Sequence, residues 1–167
     1  VVTVLGVRAR EKGIALDLRI EGEIPDTIVS DPTCLRRIVT NLVGNSIKFT
    51  EKGGVTVVLK LTGDKSAPLL GMDVIDTGIG IAADKLASIG EPFVQAQSQL
   101  GRHYEGTGLG LALVKGLVDL HGGEFTIEST EGRGTVVTVD LPADGSGANR
   151  QDDDGTTAAV AFPPVLP

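Results

Sequence analysis

The chain has 167 residues, 41% apolar and 22% charged, which suits one compact domain with a short appendage and leaves no room for two full-sized domains. Lys and Arg number 15 against 22 Asp and Glu, and the resulting net charge of -7 argues against a surface that tracks a phosphate backbone, so no nucleic-acid partner is expected. A single cysteine, Cys34, excludes a disulfide framework or cysteine metal cluster and fits a reducing cytosol, while no apolar run approaches the ~20 residues that cross a bilayer, so no membrane contact by this segment is expected.

Residues 1–12 mix apolar and basic positions (Val4, Leu5, Val7, Arg8, Arg10) and read as the end of a helix arriving from a preceding segment. From Ile14 the chain alternates, with Leu16, Leu18 and Ile20 set against Asp17, Arg19 and Glu21, the period of a half-buried strand. Asp31-Pro32 then offers an N-cap followed by a proline at the first helical position, and Leu35, Ile38, Val39, Leu42 and Phe49 continue at helical spacing toward Gly53-Gly54. Two β-rich runs, Val55 to Leu61 and Leu69 to Asp76, are separated by a turn. A short helix is expected at about Ala83 to Ile89. Residues 90–108 show little periodicity and read as a functional lid. Leu109 to Leu120 is helical, and Glu124 to Thr130 with Thr135 to Leu141 forms a last hairpin. Helices interspersed with hairpins predict an α+β two-layer sandwich whose mixed, mostly antiparallel sheet carries its helices on one face. The domain is expected over 13–142. Residues 143–167, rich in Gly, Ser, Asp and Thr and ending in a proline-rich run, predict a disordered tail, with a proline-rich docking segment as the alternative.

Three features carry chemistry. Asn41, Asn45 and Lys48 fall at i, i+4 and i+7, aligning two amides and an ammonium on one helix stripe. Asparagine is a poor helix former, so a stripe of it calls for a reason other than a solvated face, and an amide oxygen suits Mg²⁺ that shares its remaining positions with water and phosphates. Next, Asp76-Thr77-Gly78-Ile79-Gly80 ends a buried-type strand in an acid and two glycines, which let backbone pass close to a flat ligand while the carboxylate accepts from an exocyclic amine. Finally, Gly106-Thr107-Gly108-Leu109-Gly110-Leu111 opens a helix, and free N–H groups at a helix start form an anion site. The spacing matches neither the dinucleotide Gly-x-Gly-x-x-Gly nor a P-loop.

In this order the pieces resemble the ATP-binding catalytic domain of sensor histidine kinases of two-component systems, in the GHKL superfamily. Asn41 to Thr50 looks like the N box, Asp76 to Gly80 like the G1 box, Glu91-Pro92-Phe93 like the F box and Gly106 to Leu111 like the G2 box, with Thr130 to Thr135 adding the late Gly-x-Gly-Thr turn. The match spans about residues 8–142. The resemblance implies ATP and Mg²⁺ as cofactors: Asn45 would ligate the metal, with Asn41 beside the phosphates and Lys48 on them. Asp76 would bind the adenine amine, and Gly78, Gly80 and Ile81 would shape its pocket. Phe93 would anchor the lid, Arg102 would stabilise the transferring γ-phosphoryl, and Gly106, Thr107, Gly108, Leu109 and Gly110 would hinge the lid and cradle phosphates. Ser46 stands where the family usually has Ala and is expected only to be tolerated.

The superfamily's ATPase branches place a water-activating Glu where this chain has Asn41. An amide takes no proton at neutral pH, so transfer to another nucleophile is favoured over fast hydrolysis. His103 and His121 lack the surroundings of a phosphoacceptor. The resemblance therefore implies an incomplete protein-histidine kinase whose partners are its own dimerisation and phosphoacceptor domain and a response regulator. It also implies a homodimeric parent and a cytoplasmic location for this segment, whether or not the parent is membrane-anchored. A pseudokinase-type module that binds a regulator without phosphoryl transfer is the alternative, and a serine-directed kinase of the same fold is a third.

Overall fold

The computed structural model describes residues 2–24, 27–64, 66–86, 89, 109–144, 146 and 158–161. Helix α1 (Val2–Lys12) buries Leu5 and Ala9, one turn apart, and strand β1 (Ala15–Glu21) follows it directly. After β2 (Thr27–Ser30), the Asp31 carboxylate accepts the N–H groups of Thr33 at 2.7 Å and Cys34 at 3.1 Å. That cap and Pro32 at the first position start α2 (Pro32–Phe49), as the sequence predicts. Its buried residues Cys34, Ile38, Leu42, Val43, Ser46 and Ile47 recur at helical spacing. The helix stops at Phe49, short of Gly53-Gly54, because Thr50 turns extended with φ -98° and ψ 116°.

Strands β3 (Gly54–Asp64) and β4 (Ala67–Asp76) form a hairpin, followed by α3 (Ala83–Leu86), α4 (Gly110–Leu120) and the hairpin of β5 (Glu124–Thr130) with β6 (Gly134–Pro142). A last strand, β7 (Ala158–Ala161), closes the described chain. The main sheet has the order β1-β3-β4-β6-β5, with β1 parallel to β3 and the other three pairings antiparallel. A parallel pair needs a long crossover, and α2 lies within the one joining β1 to β3.

The layers follow from the two periodicities. Val55, Val57, Met72, Val74, Val137, Val139 and Leu141 alternate along their strands and pack in one cluster with Ile38, Leu42, Val114 and Val118 of the helices. Intervening positions are more polar, and Lys60 and Asp73 pair there at 2.7 Å. The expected two-layer α+β sandwich with a mixed, mostly antiparallel sheet is therefore what the chain forms.

Two local expectations need correcting. The strand beginning at Ile14 forms, but Leu18 is 46% exposed, because β1 is a sheet edge with a strand neighbour on one side only. Within the stretch expected to be a structureless tail, β7 pairs antiparallel with β2, from Thr27↔Ala161 to Ser30↔Ala158. Composition is blind to this because the pairing uses backbone groups that every residue other than proline carries in full. Ala143, just past the expected boundary, is also buried, and it accepts the Val29 N–H while donating to Pro68 O.

Leu42 is 1% exposed, so Leu42→Ala should cost about 2–5 kcal/mol in urea unfolding, whereas Leu18→Ala should stay within about 1 kcal/mol. Equal shifts of the two midpoints would contradict this layering.

Candidate functional site

Of the predicted stripe, Asn41, Asn45 and Lys48 sit half-buried on α2 beside its apolar face. The Asn41 amide donates through Nδ2 to Arg37 O at 2.9 Å, which leaves its oxygen turned the other way. That oxygen faces the start of α4: a Cβ added to Gly110 would lie 3.3 Å from Asn41 Oδ1 and 3.4 Å from Asn45 Nδ2. Two residues predicted from one motif thus meet a residue predicted from another across 65 positions of sequence. Lys48 Nζ lies 4.8 Å from the Phe49 ring centroid.

Among the described residues the α4 start receives no side-chain cap, its N-cap residue being Leu109. First-turn N–H groups without a cap, beside two amides and near the lysine of the same stripe, suit an anion. The opposite ends of the two helices also meet. Cys34 Sγ lies 3.4 Å from His121 Nδ1, His121 Nε2 lies 3.9 Å from Asp31, and His121 Nδ1 contacts Leu117 O at 2.8 Å. His121 is therefore a clasp between α2 and α4. It stands one helix length, about 16 Å, from Gly110 at ~1.5 Å per residue. Burial and the Asp31 carboxylate push the Cys34 thiol up to about 11, so it stays protonated and inert.

Asp76 ends β4 in register with Val55 on one side and Thr135 on the other, and is 9% exposed. Its Oδ1 accepts the Gly78 N–H at 2.9 Å and the Thr135 N–H at 3.1 Å, and the Ser46 hydroxyl is a further donor near enough to stabilise its charge. Burial raises its pKa from the ordinary value, and these three donors oppose the rise. Ser46, expected only to be tolerated, is thus part of the carboxylate's shell.

Beyond Asp76 the chain is sewn to two neighbours. Ile79 donates to Phe49 O at 3.2 Å and accepts from Gly132 N at 2.8 Å, while Ile81 N donates to Ser129 Oγ at 2.9 Å. Gly80 has φ +65° and a Cβ there would collide with Thr130 O, and a Cβ on Gly78 would lie 2.6 Å from Phe49 O. Both glycines are therefore required by close approach of backbone. Ser129 and Thr135, absent from the predicted site, join this network at 2.8 Å through their hydroxyls. The Gly-x-Gly-Thr turn was the only sequence signal pointing near them. The predicted Phe93, Arg102, Gly106, Thr107 and Gly108, with the lid at 90–108, lie outside the described residues.

The donor set fits Mg²⁺ of the kind that arrives with phosphates. Asn41 and Asn45 bring neutral oxygens to the niche left by the missing Cβ of Gly110, and among the described residues no group of three His, Cys, Asp or Glu is placed to hold a metal alone.

The titration of Asp76 has a sign that can be tested. A native pKa above the unfolded one means the native state binds more protons, so stability falls as pH rises from about 4 through the raised value. Asp76→Asn lacks that loss while its amide oxygen still accepts two N–H groups. The difference in unfolding midpoint should thus move in favour of the variant between pH 3 and pH 7, as read by denaturant titration. A difference constant with pH would show that Asp76 is not so perturbed.

Comparison with known proteins gives a consistent result. Residues 30–145 match the sequence model described as histidine kinase-, DNA gyrase B-, and HSP90-like ATPase. An uncharacterized sensor-like histidine kinase of Rhizobium meliloti is 50% identical over 163 residues, covering 97% of this chain and 30% of that protein. The circadian input-output histidine kinase CikA of Synechococcus elongatus is 44% identical over 137 residues, covering 81% of this chain and 17% of CikA. Among solved structures, full-length ShkA in complex with AMPPNP superposes with a TM-score of 0.71 at 35% identity, over 86% of this chain and 28% of that one. The chain spans less than a third of the length of these relatives.

Proposed function

Because the chain belongs to the family of histidine kinase-, DNA gyrase B- and HSP90-like ATPases and is the ATP-binding domain type of sensor histidine kinases, we propose that it holds Mg²⁺-ATP between α2, α4 and the Asp76 loop. In this reading it presents the γ-phosphoryl to a histidine on a separate dimerisation domain, for relay to a response regulator, within a homodimeric parent and on the cytoplasmic side. The observation that carries it is the meeting of Asn41 and Asn45 with Gly110 at the uncapped start of α4. ShkA, similar over most of this chain, is a complex with the ATP analogue AMPPNP.

Each residue then has a physical task. The Asp76 carboxylate, already held by three donors, keeps lone pairs for an exocyclic amine, and Gly78 and Gly80 let the ring lie against the backbone with Ile81 beside it. Asn45 ligates the metal, Asn41 orients beside it, Lys48 neutralises phosphate charge, and Leu109 and Gly110 offer main-chain N–H groups. Phe93, Arg102, Gly106, Thr107 and Gly108 complete the site as lid anchor, γ-phosphoryl contact and phosphate cradle. Bound Mg²⁺ would offset charge on the phosphate oxygens. Phosphoryl transfer asks mainly for such positioning and charge compensation. The Asn41 amide cannot serve as a base for water, which favours transfer over hydrolysis.

Calorimetric titration with AMPPNP, with and without Mg²⁺, tests this. Binding should be saturable, Asp76→Asn should weaken it by about 1–3 kcal/mol, the cost of an unmade buried hydrogen bond, and Asn45→Ala should abolish its Mg²⁺ dependence. Phosphohistidine should form on an isolated dimerisation domain supplied in trans. A folded chain that binds AMPPNP but never phosphorylates that domain would be the pseudokinase-type module instead.

A further inference from the structure

An α-helix leaves its last four carbonyls without intrahelical partners. In α2 these belong to Ser46, Ile47, Lys48 and Phe49, and they are satisfied from three places. The cap residue Thr50 donates to Ser46 O at 3.0 Å, and Ile79, beyond β4, donates to Phe49 O at 3.2 Å. The middle two both go to one side chain: Lys12 Nζ donates to Ile47 O at 2.7 Å and to Lys48 O at 2.6 Å. Lys12 is the last residue of α1, so a cation from one helix closes the negative end of another 35 residues away.

The placement of Lys12 is itself fixed. Gly13 takes φ +74°, Gly13 N donates to Arg10 O at 3.0 Å, and Ile14 N donates to Ala9 O at 3.0 Å. This pair of bonds with a left-handed glycine is a Schellman stop, which sets the direction in which α1 ends. Leu5 and Ala9 seat the helix in the core; burial lowers the Lys12 pKa, and the Glu51 charge opposes that fall. The turn that Lys12 grips carries the Lys48 side chain, with Asn45 one turn earlier.

We propose that Lys12 is a positioning residue for phosphate binding: it couples the placement of α1 to the last turn of α2, and through it sets where Lys48 and Asn45 meet a nucleotide's phosphates. The inference rests on the nucleotide site proposed above. It predicts an effect that grows with the phosphate chain, because the grip acts on the turn bearing Lys48 while the Asp76 carboxylate takes the N–H groups of Gly78 and Thr135, both outside α2.

Lys12→Met keeps the aliphatic stem and removes the ammonium. Against the wild-type chain, its Kd for Mg²⁺-AMPPNP should rise at least about fivefold, the low end of coupling between distinct sites, while its Kd for adenosine, followed by NMR titration, changes less than about twofold. Lys12→Arg should restore most of the AMPPNP affinity. No loss for AMPPNP, or equal losses for both ligands that track a fall in melting temperature, would overturn the proposal. A wild-type chain that fails to bind AMPPNP would remove the nucleotide site itself, whereas wild-type binding with an unresponsive Lys12→Met would remove only the role of Lys12.

Discussion

A carboxylate placed away from water must be given hydrogen-bond donors, and the geometry around Asp76 shows how much of this molecule is arranged to do so. Its donors come from three segments: Gly78 two residues on, Thr135 at the start of β6, and Ser46 in the last turn of α2. To keep the group chargeable, the β4 end, the β5–β6 turn and the long helix must all hold station. The glycines at 78 and 80 are consequences of the same demand, since the loop can pass Phe49 O and Thr130 O only without side chains.

Helix α2 does the rest by having two working faces. One stripe buries Ile38, Leu42 and Val43 in the core, and the neighbouring one carries Asn41 and Asn45 toward α4, with Lys48 further along it. The helices touch at both ends, through Gly110 at one and His121 at the other, so the spacing at the amides does not depend on a single contact. Placing polar groups beside the apolar stripe, half-buried, fixes their rotamers more firmly than full exposure would.

Periodicity made much of this legible. Asp31-Pro32 and the apolar spacing located α2, β-rich runs broken by turns located β3, β4, β5 and β6, and the amide stripe with Asp76-Thr77-Gly78-Ile79-Gly80 pointed to two walls of the proposed site. What could not be read were relations between distant segments. Thr27–Ser30 is too short to show a period, and its partner lies in a stretch whose composition promises nothing. Leu18 has the right period but sits on an edge, which only the strand order reveals. Ser46 looked like a tolerated replacement because its partner is 30 positions away, and nothing in the pattern around Lys12 points to the end of α2. Pattern encodes which face a residue takes, and says nothing about which residue it will find there.

The bond from Thr135 N–H to Asp76 spans 59 positions, and it forms only when β6 lies in the sheet beside β4. As the chain leaves a ribosome, β3, β4 and α2 can assemble while the carboxylate still lacks its Thr135 donor, so around Asp76 a nascent chain of that length is unfinished. Loop closure over such separations is slow relative to helix formation. If nucleotide binds at Asp76 as proposed, its occupancy would also be a proofreading of topology: a ligand that needs Asp76 in place selects molecules in which the last hairpin has docked, and stabilises them as its concentration exceeds its Kd.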